Sequence, residues 1–260
     1  MIRFLAALFL LIMSTSIAIG DGLKKIEILE GWKKSDGSIV YGLQISLNNG
    51  WKTYWHTPGP MGLKPQFNFE GSLNINSLNV LWPSPKVFGS SGFESIGYEN
   101  EVILPIIIKA KVISDPINLK ITGIIGVCND LCVPIEFETQ SEFRTVSKVI
   151  NTDLLAALAN LPVSPSDLNK NKARCTITFG PTSFEIEAYV PYLEKENSKI
   201  FFSIKDYRDA LSIEQPKHFT PGKIISASGV WYDKPNVKIS GDLITITQID
   251  EGQVIEQEGC

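Results

Sequence analysis

Apolar residues recur at every second position along much of this chain, and that spacing restricts it to strands with one dry face and one wet face. Ile39, Tyr41, Leu43, Ile45 and Leu47 alternate with Gln44 and Ser46, and Ile117, Leu119, Ile121, Ile125 and Val127 alternate with Asn118, Lys120 and Thr122. A period of two marks a half-buried strand. Further strand-like runs cover Leu78–Trp82, Val102–Lys111 and Val133–Glu138, then Cys175–Phe179, Phe184–Val190, Lys199–Ile204, Ile224–Ser228 and Leu243–Ile249. Turn compositions such as Asn48-Asn49-Gly50 and Thr57-Pro58-Gly59-Pro60 separate them. Only Asp153–Ala159 reads as a helix, with Asn151, Thr152 or Asp153 as N-cap and Pro162 just past its end. The expected class is all-β. A chain of 260 residues exceeds one small sandwich, so two units are expected. Residues 21–147 form the first, 148–173 a helix and linker, and 174–260 a second, smaller β-sandwich-like unit.

Residues 1–20 read as a secretory signal. Arg3 precedes the apolar stretch Phe4 to Met13, and Ala18-Ile19-Gly20 suits cleavage before Asp21. An uncleaved anchor is the alternative. No later apolar run approaches the roughly 20 residues of a membrane span. The formal net charge of −4 argues against a nucleic-acid partner, which needs a basic stripe. An exported protein without stable membrane insertion is expected.

The chemistry concentrates in Gly126-Val127-Cys128-Asn129-Asp130-Leu131-Cys132-Val133-Pro134. Cys128 shares the parity of Asn118, Lys120 and Thr122, and Cys132 that of Glu136 and Glu138, so both sulfurs are expected on the wet face. If Asn129 to Leu131 form a three-residue hairpin loop, the cysteines oppose each other with Cα atoms roughly 4.5–5.5 Å apart, within reach of a disulfide. An extended run would separate them by about 13 Å. Asp130 and Glu94 are expected to add negative charge and raise the thiol pKa, and the loop holds no Lys, Arg or His to lower it.

Four motifs in fixed order carry a resemblance. They are Gly50-Trp51-Lys52-Thr53-Tyr54-Trp55-His56-Thr57-Pro58-Gly59, Val80-Leu81-Trp82-Pro83-Ser84-Pro85, Ile96-Gly97-Tyr98-Glu99 before Val102-Ile103-Leu104-Pro105, and the cysteine segment itself. Over about residues 30–145 the chain resembles the amino-terminal periplasmic domain of the DsbD-like protein-disulfide reductases, especially the branch with an extended two-domain amino-terminal region. The resemblance implies an immunoglobulin-like sandwich in the periplasm whose Cys128/Cys132 pair exchanges disulfides, with Cys132 attacking. It implies Trp51 and Tyr54 as aromatic walls of the pair, and Phe93 as the tip of a cap loop over Phe88–Tyr98. The aromatics Trp51, Tyr54, Trp55 and Trp82 serve equally well as ordinary sandwich packing. Family proteins often carry a membrane electron-carrying domain and a thioredoxin-like domain; neither is in these 260 residues. The implied partners are therefore a separate membrane thiol reductant and periplasmic thioredoxin-like or disulfide-bonded proteins.

No cofactor is expected beyond the redox-active disulfide. Two rival readings of the pair remain: a structural bridge, and a Cu(I) site using Cys128 and Cys132, with His56 assisting. Cys175 shares parity with Ile177 and Phe179 and reads as a buried free thiol. It pairs with Cys260 only if the last strand lies beside the first strand of the second unit. There is no G-x-S-x-G, H-E-x-x-H or P-loop.

Overall fold

The computed structural model describes residues 22–59, 61–90, 93–143, 149–195, 197–205, 211–214, 216, 218–220, 223–232 and 239–260; the expected leader, 1–20, lies outside them. The alternation becomes strands as expected. The first ten are β1 (Leu23–Lys33), β2 (Ile39–Leu47), β3 (Lys52–Tyr54), β4 (Gln66–Asn68), β5 (Ile75–Val80), β6 (Lys86–Phe88), β7 (Ser95–Glu99), β8 (Glu101–Ala110), β9 (Ile117–Cys128) and β10 (Cys132–Phe143). They form two antiparallel sheets, one in the order β1-β2-β8-β5 and one in the order β10-β9-β3-β7-β6, with β4 also on β9. Between the sheets lies a single core. From β2 it takes Tyr41, Leu43 and Ile45, from β8 Leu104, Ile106 and Ile108, and from β9 Leu119, Ile121 and Ile125. This is the immunoglobulin-like sandwich the resemblance implied.

Helix α1 (Thr152–Ala159) covers the outer face of the first sheet. The Asn151 side chain accepts from the backbone N–H groups of Asp153 and Leu154, both at 3.1 Å, and so caps it. Leu154 is fully buried against Val40 and Ile103. It fits because Gly31 and Gly42 lack side chains: a Cβ on either would come within about 3 Å of its methyl groups (2.9 and 3.0 Å).

The second half contributes β11 (Arg174–Phe179), β12 (Ser183–Tyr189), β13 (Lys199–Ile204), β14 (Leu211–Ile213), β15 (His218–Thr220), β16 (Ile224–Trp231), β17 (Ile244–Asp250) and β18 (Gln253–Glu258). One sheet runs β11-β12-β16-β14 with β15 on β16, the other β13-β17-β18, and Phe184, Ile186, Ile225, Ile244 and Ile246 join them in a shared core. The stretch Leu161–Lys172, read as a linker, is more ordered than its composition implied. Ser164 and Asp167 form a capping box on a short 3-10 turn, and Val163 bridges in parallel to Ile255 of β18.

The expectation of a free thiol at Cys175 is overturned: Cys175 is disulfide-bonded to Cys260 across 85 residues. After β18 the chain crosses the turn Gly241–Leu243, where the Cys260 N–H donates to the Gly241 carbonyl at 2.9 Å. The two cysteines flank one core, and their Cα atoms are 5.3 Å apart. Closing so long a loop removes much unfolded-state entropy, about 4–5 kcal/mol on the chain-entropy model. Cys260→Ser should therefore lower the chemical-denaturation midpoint by an amount equivalent to about 3–5 kcal/mol, read by circular dichroism. A loss below about 1 kcal/mol would show that the bridge does not constrain the fold.

Candidate active site

The hairpin expected between the cysteines is present. In the β9–β10 register Cys128 pairs directly with Cys132, and Val127 with Val133. Asn129, Asp130 and Leu131 form the loop, in which the Asn129 N–H donates to the Leu131 carbonyl at 3.2 Å. The Cα atoms of the two cysteines are 4.1 Å apart and a disulfide joins the sulfurs.

The environment of the pair is set from the other side of β9. There β3 aligns Lys52 with Cys128 and Thr53 with Val127. Residues directly opposite share a face, so Lys52 and Tyr54 lie on the cysteines' face while Thr53 turns into the core at 2 % exposure. The β9 position facing Tyr54 is Gly126. A Cβ there would lie 2.7 Å from the Tyr54 ring and 2.9 Å from Leu63 Cβ, so glycine is what lets the ring lie across the strand. The ring delivers its hydroxyl to the sulfurs: Tyr54 Oη is 2.8 Å from Cys132 Sγ and 2.9 Å from Cys128 Sγ. Disulfide sulfurs carry no hydrogen, so the hydroxyl donates. Burial pushes the Tyr54 phenol above its ordinary value, and it stays protonated wherever thiols titrate.

Both sulfurs were expected to be exposed, and one is not. Cys132 is exposed, whereas Cys128 retains 5 % of its surface. Strand parity places both on the outer face, but Cys128 sits inside the sheet between β3 and β10, while Cys132 opens the edge strand. The residues on either side of Cys132 in the chain are apolar and open, Leu131 at 79 % and Val133 at 45 % exposure.

The remaining expected residues are dispersed. Trp51 packs beside Gly22 and against the sandwich core, so Tyr54 is the aromatic that reaches sulfur. Asp130 is exposed on the hairpin loop. Phe93 stands out from the loop between β6 and β7 at 65 % exposure, outside any core cluster. Glu94 does not act as an open negative charge. It is 2 % exposed and accepts from Lys199 Nζ of β13 at 2.9 Å, an ion pair that ties the base of the Phe93 loop to the second sandwich. His56 is engaged elsewhere: its Nε2 is 3.4 Å from Glu256 Oε1 of β18 and its ring lies 3.8 Å from that of Trp55.

Sequence reading missed Lys52 as the cross-strand neighbour of Cys128, because it searched only within the hairpin loop. The Lys52 ammonium lies 5.2 Å from the centre of the Phe88 ring. It also missed Lys199, whose partner lies 105 residues away. Among the described residues no group of three or more His, Cys, Asp or Glu side chains is arranged to hold a metal ion. No helix among them is long and apolar enough to cross a membrane.

Residues 27–143 match the family model described as thiol:disulfide interchange protein DsbD, N-terminal. This segment belongs to the DsbD amino-terminal family. The match spans both sheets of the first sandwich and contains the whole cysteine hairpin. No curated protein matches the sequence. Among solved structures, the chain is similar to the N-terminal periplasmic domain of ScsB from Proteus mirabilis. That likeness has a TM-score of 0.61 at 20 % identity, covering 86 % of this chain and 89 % of that one, so the shared fold extends beyond the DsbD-type segment.

The Tyr54 hydroxyl lies within hydrogen-bond distance of both sulfurs, so its loss should be felt in exchange. Tyr54→Phe should slow disulfide exchange about ten-fold or more, since a hydrogen bond to a charged group is worth roughly 1.5–3 kcal/mol. The deficit should stay constant from pH 6 to pH 9, because the buried phenol does not ionise there. Stopped-flow exchange across that range reads both; a deficit that vanishes as pH rises would mean the hydroxyl acts by proton transfer.

Proposed function

We propose that this protein is a periplasmic thiol–disulfide exchange module. Its Cys128/Cys132 pair would pass reducing equivalents between a separate membrane thiol reductant and disulfide-bonded or thioredoxin-like proteins of the periplasm. The observation that carries the reading is the asymmetry of the pair: one sulfur open at a strand edge, the other buried beneath a tyrosine hydroxyl.

The reduced protein begins exchange when the Cys132 thiolate attacks one sulfur of a partner disulfide, releasing the other as a partner thiolate. A mixed disulfide now joins Cys132 to the partner. Cys128, deprotonated, attacks Cys132 Sγ and expels the second partner thiolate. Two electrons have moved: the partner holds a dithiol and this protein the Cys128–Cys132 disulfide. In the reverse half-cycle a thiolate of the membrane reductant attacks the accessible Cys132 sulfur and Cys128 leaves as thiolate; the reductant's second thiolate then attacks its own sulfur in the mixed disulfide, releasing Cys132 and leaving the reductant as a disulfide. The Tyr54 hydroxyl, aimed at both sulfurs, stabilises negative charge on whichever one leaves. Asp130 lies on the loop between the two cysteines, and Phe93, 65 % exposed here, would fold over the sulfurs as a cap between encounters.

Residues 21–147 serve as the redox unit, 148–173 as the connection and 174–260 as a supporting unit. The support is physical. Phe201, Ile249 and Val254 join the core cluster of the first sandwich, and Lys199 neutralises buried Glu94. Lys199→Met should destabilise the protein by about 1–3 kcal/mol, discounted for the half-exposed ammonium, and Lys199→Arg should recover most of it. Thermal denaturation measures both; a neutral Lys199→Met would remove the link between the second sandwich and the Phe93 loop.

The single-cysteine variants test the exchange reading. Cys128→Ala should trap partners as mixed disulfides on Cys132, detectable on non-reducing gels of periplasmic extract, and Cys132→Ala should trap few. A purely structural bridge predicts two similarly destabilised variants without adducts. A two-thiolate Cu(I) site predicts equal loss of tight metal binding in both. Symmetric behaviour without a trapped partner would overturn the exchange reading.

A further inference from the structure

A cleft of about 430 Å³ separates the loop Thr57–Gln66 of the first sandwich from β13 and β14 of the second. Its size lies within the ~300–1,000 Å³ of ordinary binding pockets. Leu63, Leu211, Ile213 and Tyr232 supply apolar walls, with Tyr232 at 64 % and Leu63 at 39 % exposure. Ser203 also lines it; that side chain is 7 % exposed and its hydroxyl has no hydrogen-bond partner among the described residues. A buried hydroxyl left unpaired costs about 1–3 kcal/mol, and rotation about its Cα–Cβ bond can turn it toward an incoming backbone amide or carbonyl.

Two residues that line the cleft also pack beside the strand that carries Cys128. Leu63, one of its walls, also approaches Gly126 beside the Tyr54 ring. Gly62, another lining residue, lies against the same ring: a Cβ there would be 2.9 Å from Tyr54 Cδ1. Gly126 precedes Cys128 by two residues, about 7 Å along the strand. An extended polypeptide whose sulfur meets Cys132 therefore reaches the cleft in about three or four residues, at ~3.3 Å each. The ionisable side chains of the lining, His56, Lys64 and Glu214, are of mixed sign and do not select a charge.

We propose that this cleft between the two sandwiches binds a large apolar side chain three or four residues from the reactive cysteine of an extended partner polypeptide. The inference rests on the exchange reading and adds to it the class of sequence that is exchanged. It also gives the second sandwich a share in substrate choice, since β13, β14 and Tyr232 form one wall.

The test uses the reduced full-length protein and a set of disulfide-bonded peptides differing only at positions three and four from the cysteine, Phe against Gly, on either side. A small aromatic disulfide, 5,5′-dithiobis(2-nitrobenzoate), reports thiol competence independently. The Phe peptides should react about ten-fold faster than the Gly peptides, the gain expected from burying one aromatic side chain. Tyr232→Ala, at an exposed position, and Ile213→Glu should each reduce that preference to three-fold or less while leaving the small-disulfide rate unchanged. If Ile213→Glu fails to fold, Tyr232→Ala alone carries the comparison. Equal rates for Phe and Gly peptides with normal small-disulfide reactivity would overturn the cleft and leave the exchange reading standing. A preference that survives both folded variants would overturn it as well. A dithiol inert toward the peptides and the small disulfide alike would overturn the exchange reading, and this inference with it.

Discussion

The tyrosine that lies across Gly126 is the contact from which the rest of the site follows. It requires a glycine two residues before Cys128 at the end of β9, and a β3 register that brings Lys52 opposite Cys128. It also requires the Leu63 loop to fold back over the ring. Given those three conditions, a hydroxyl reaches two sulfurs at once and one cysteine is sealed while its partner stays open. A methyl group at Gly126 would lift the ring, since the space is already occupied to within 2.7 Å. Core packing and redox geometry thus meet in one strand, whose inward residues hold the sandwich and whose outward residues hold the chemistry.

Much of this was legible from spacing alone. The alternation through Ile39–Leu47 and Ile117–Val127 sorted core from surface correctly, and the three-residue loop put the cysteines in register. What could not be read was anything depending on a third strand. Parity says which face a sulfur takes, but not that β3 would cover Cys128 while leaving Cys132 at an edge. Trp51 and Tyr54 are three residues apart and similar in chemistry, yet opposite parity sends one toward the core and the other to the sulfurs. Glu94 read as a free charge because its cation lies in the second sandwich. Short strands such as β4, β6 and β14, three residues each, are too brief to show a period.

The two sandwiches are joined by more than the 148–173 connection. Phe201 and Val254 contribute to a core mostly built from the other half of the chain. Two acid–base contacts, Glu94 with Lys199 and His56 with Glu256, cross the same junction. Buried carboxylates are stable only when paired, so the base of the Phe93 loop is held where it is by a residue outside the DsbD-type segment. The structural likeness covers 86 % of this chain, whereas the sequence match stops at residue 143. Packing across a junction constrains shape and volume more strongly than it constrains residue identity.

The two disulfides differ in what their rupture would release. The bridge between Cys128 and Cys132 spans a separation of 4 residues already held together by a β-ladder, whereas the Cys175–Cys260 bridge spans 85. Opening the first returns almost no freedom to the chain, because the neighbouring backbone hydrogen bonds keep the hairpin closed. Opening the second removes the covalent tie between the carboxy-terminal residue and β11 and leaves only hydrogen bonds such as those between Gln257 and Ala173. One molecule therefore carries a bond whose opening leaves its shape almost unchanged and another that works only while it stays shut. The one exposed sulfur of the four, that of Cys132, belongs to the bridge whose opening costs the fold little, and the two half-buried ones to the bridge on which the fold leans.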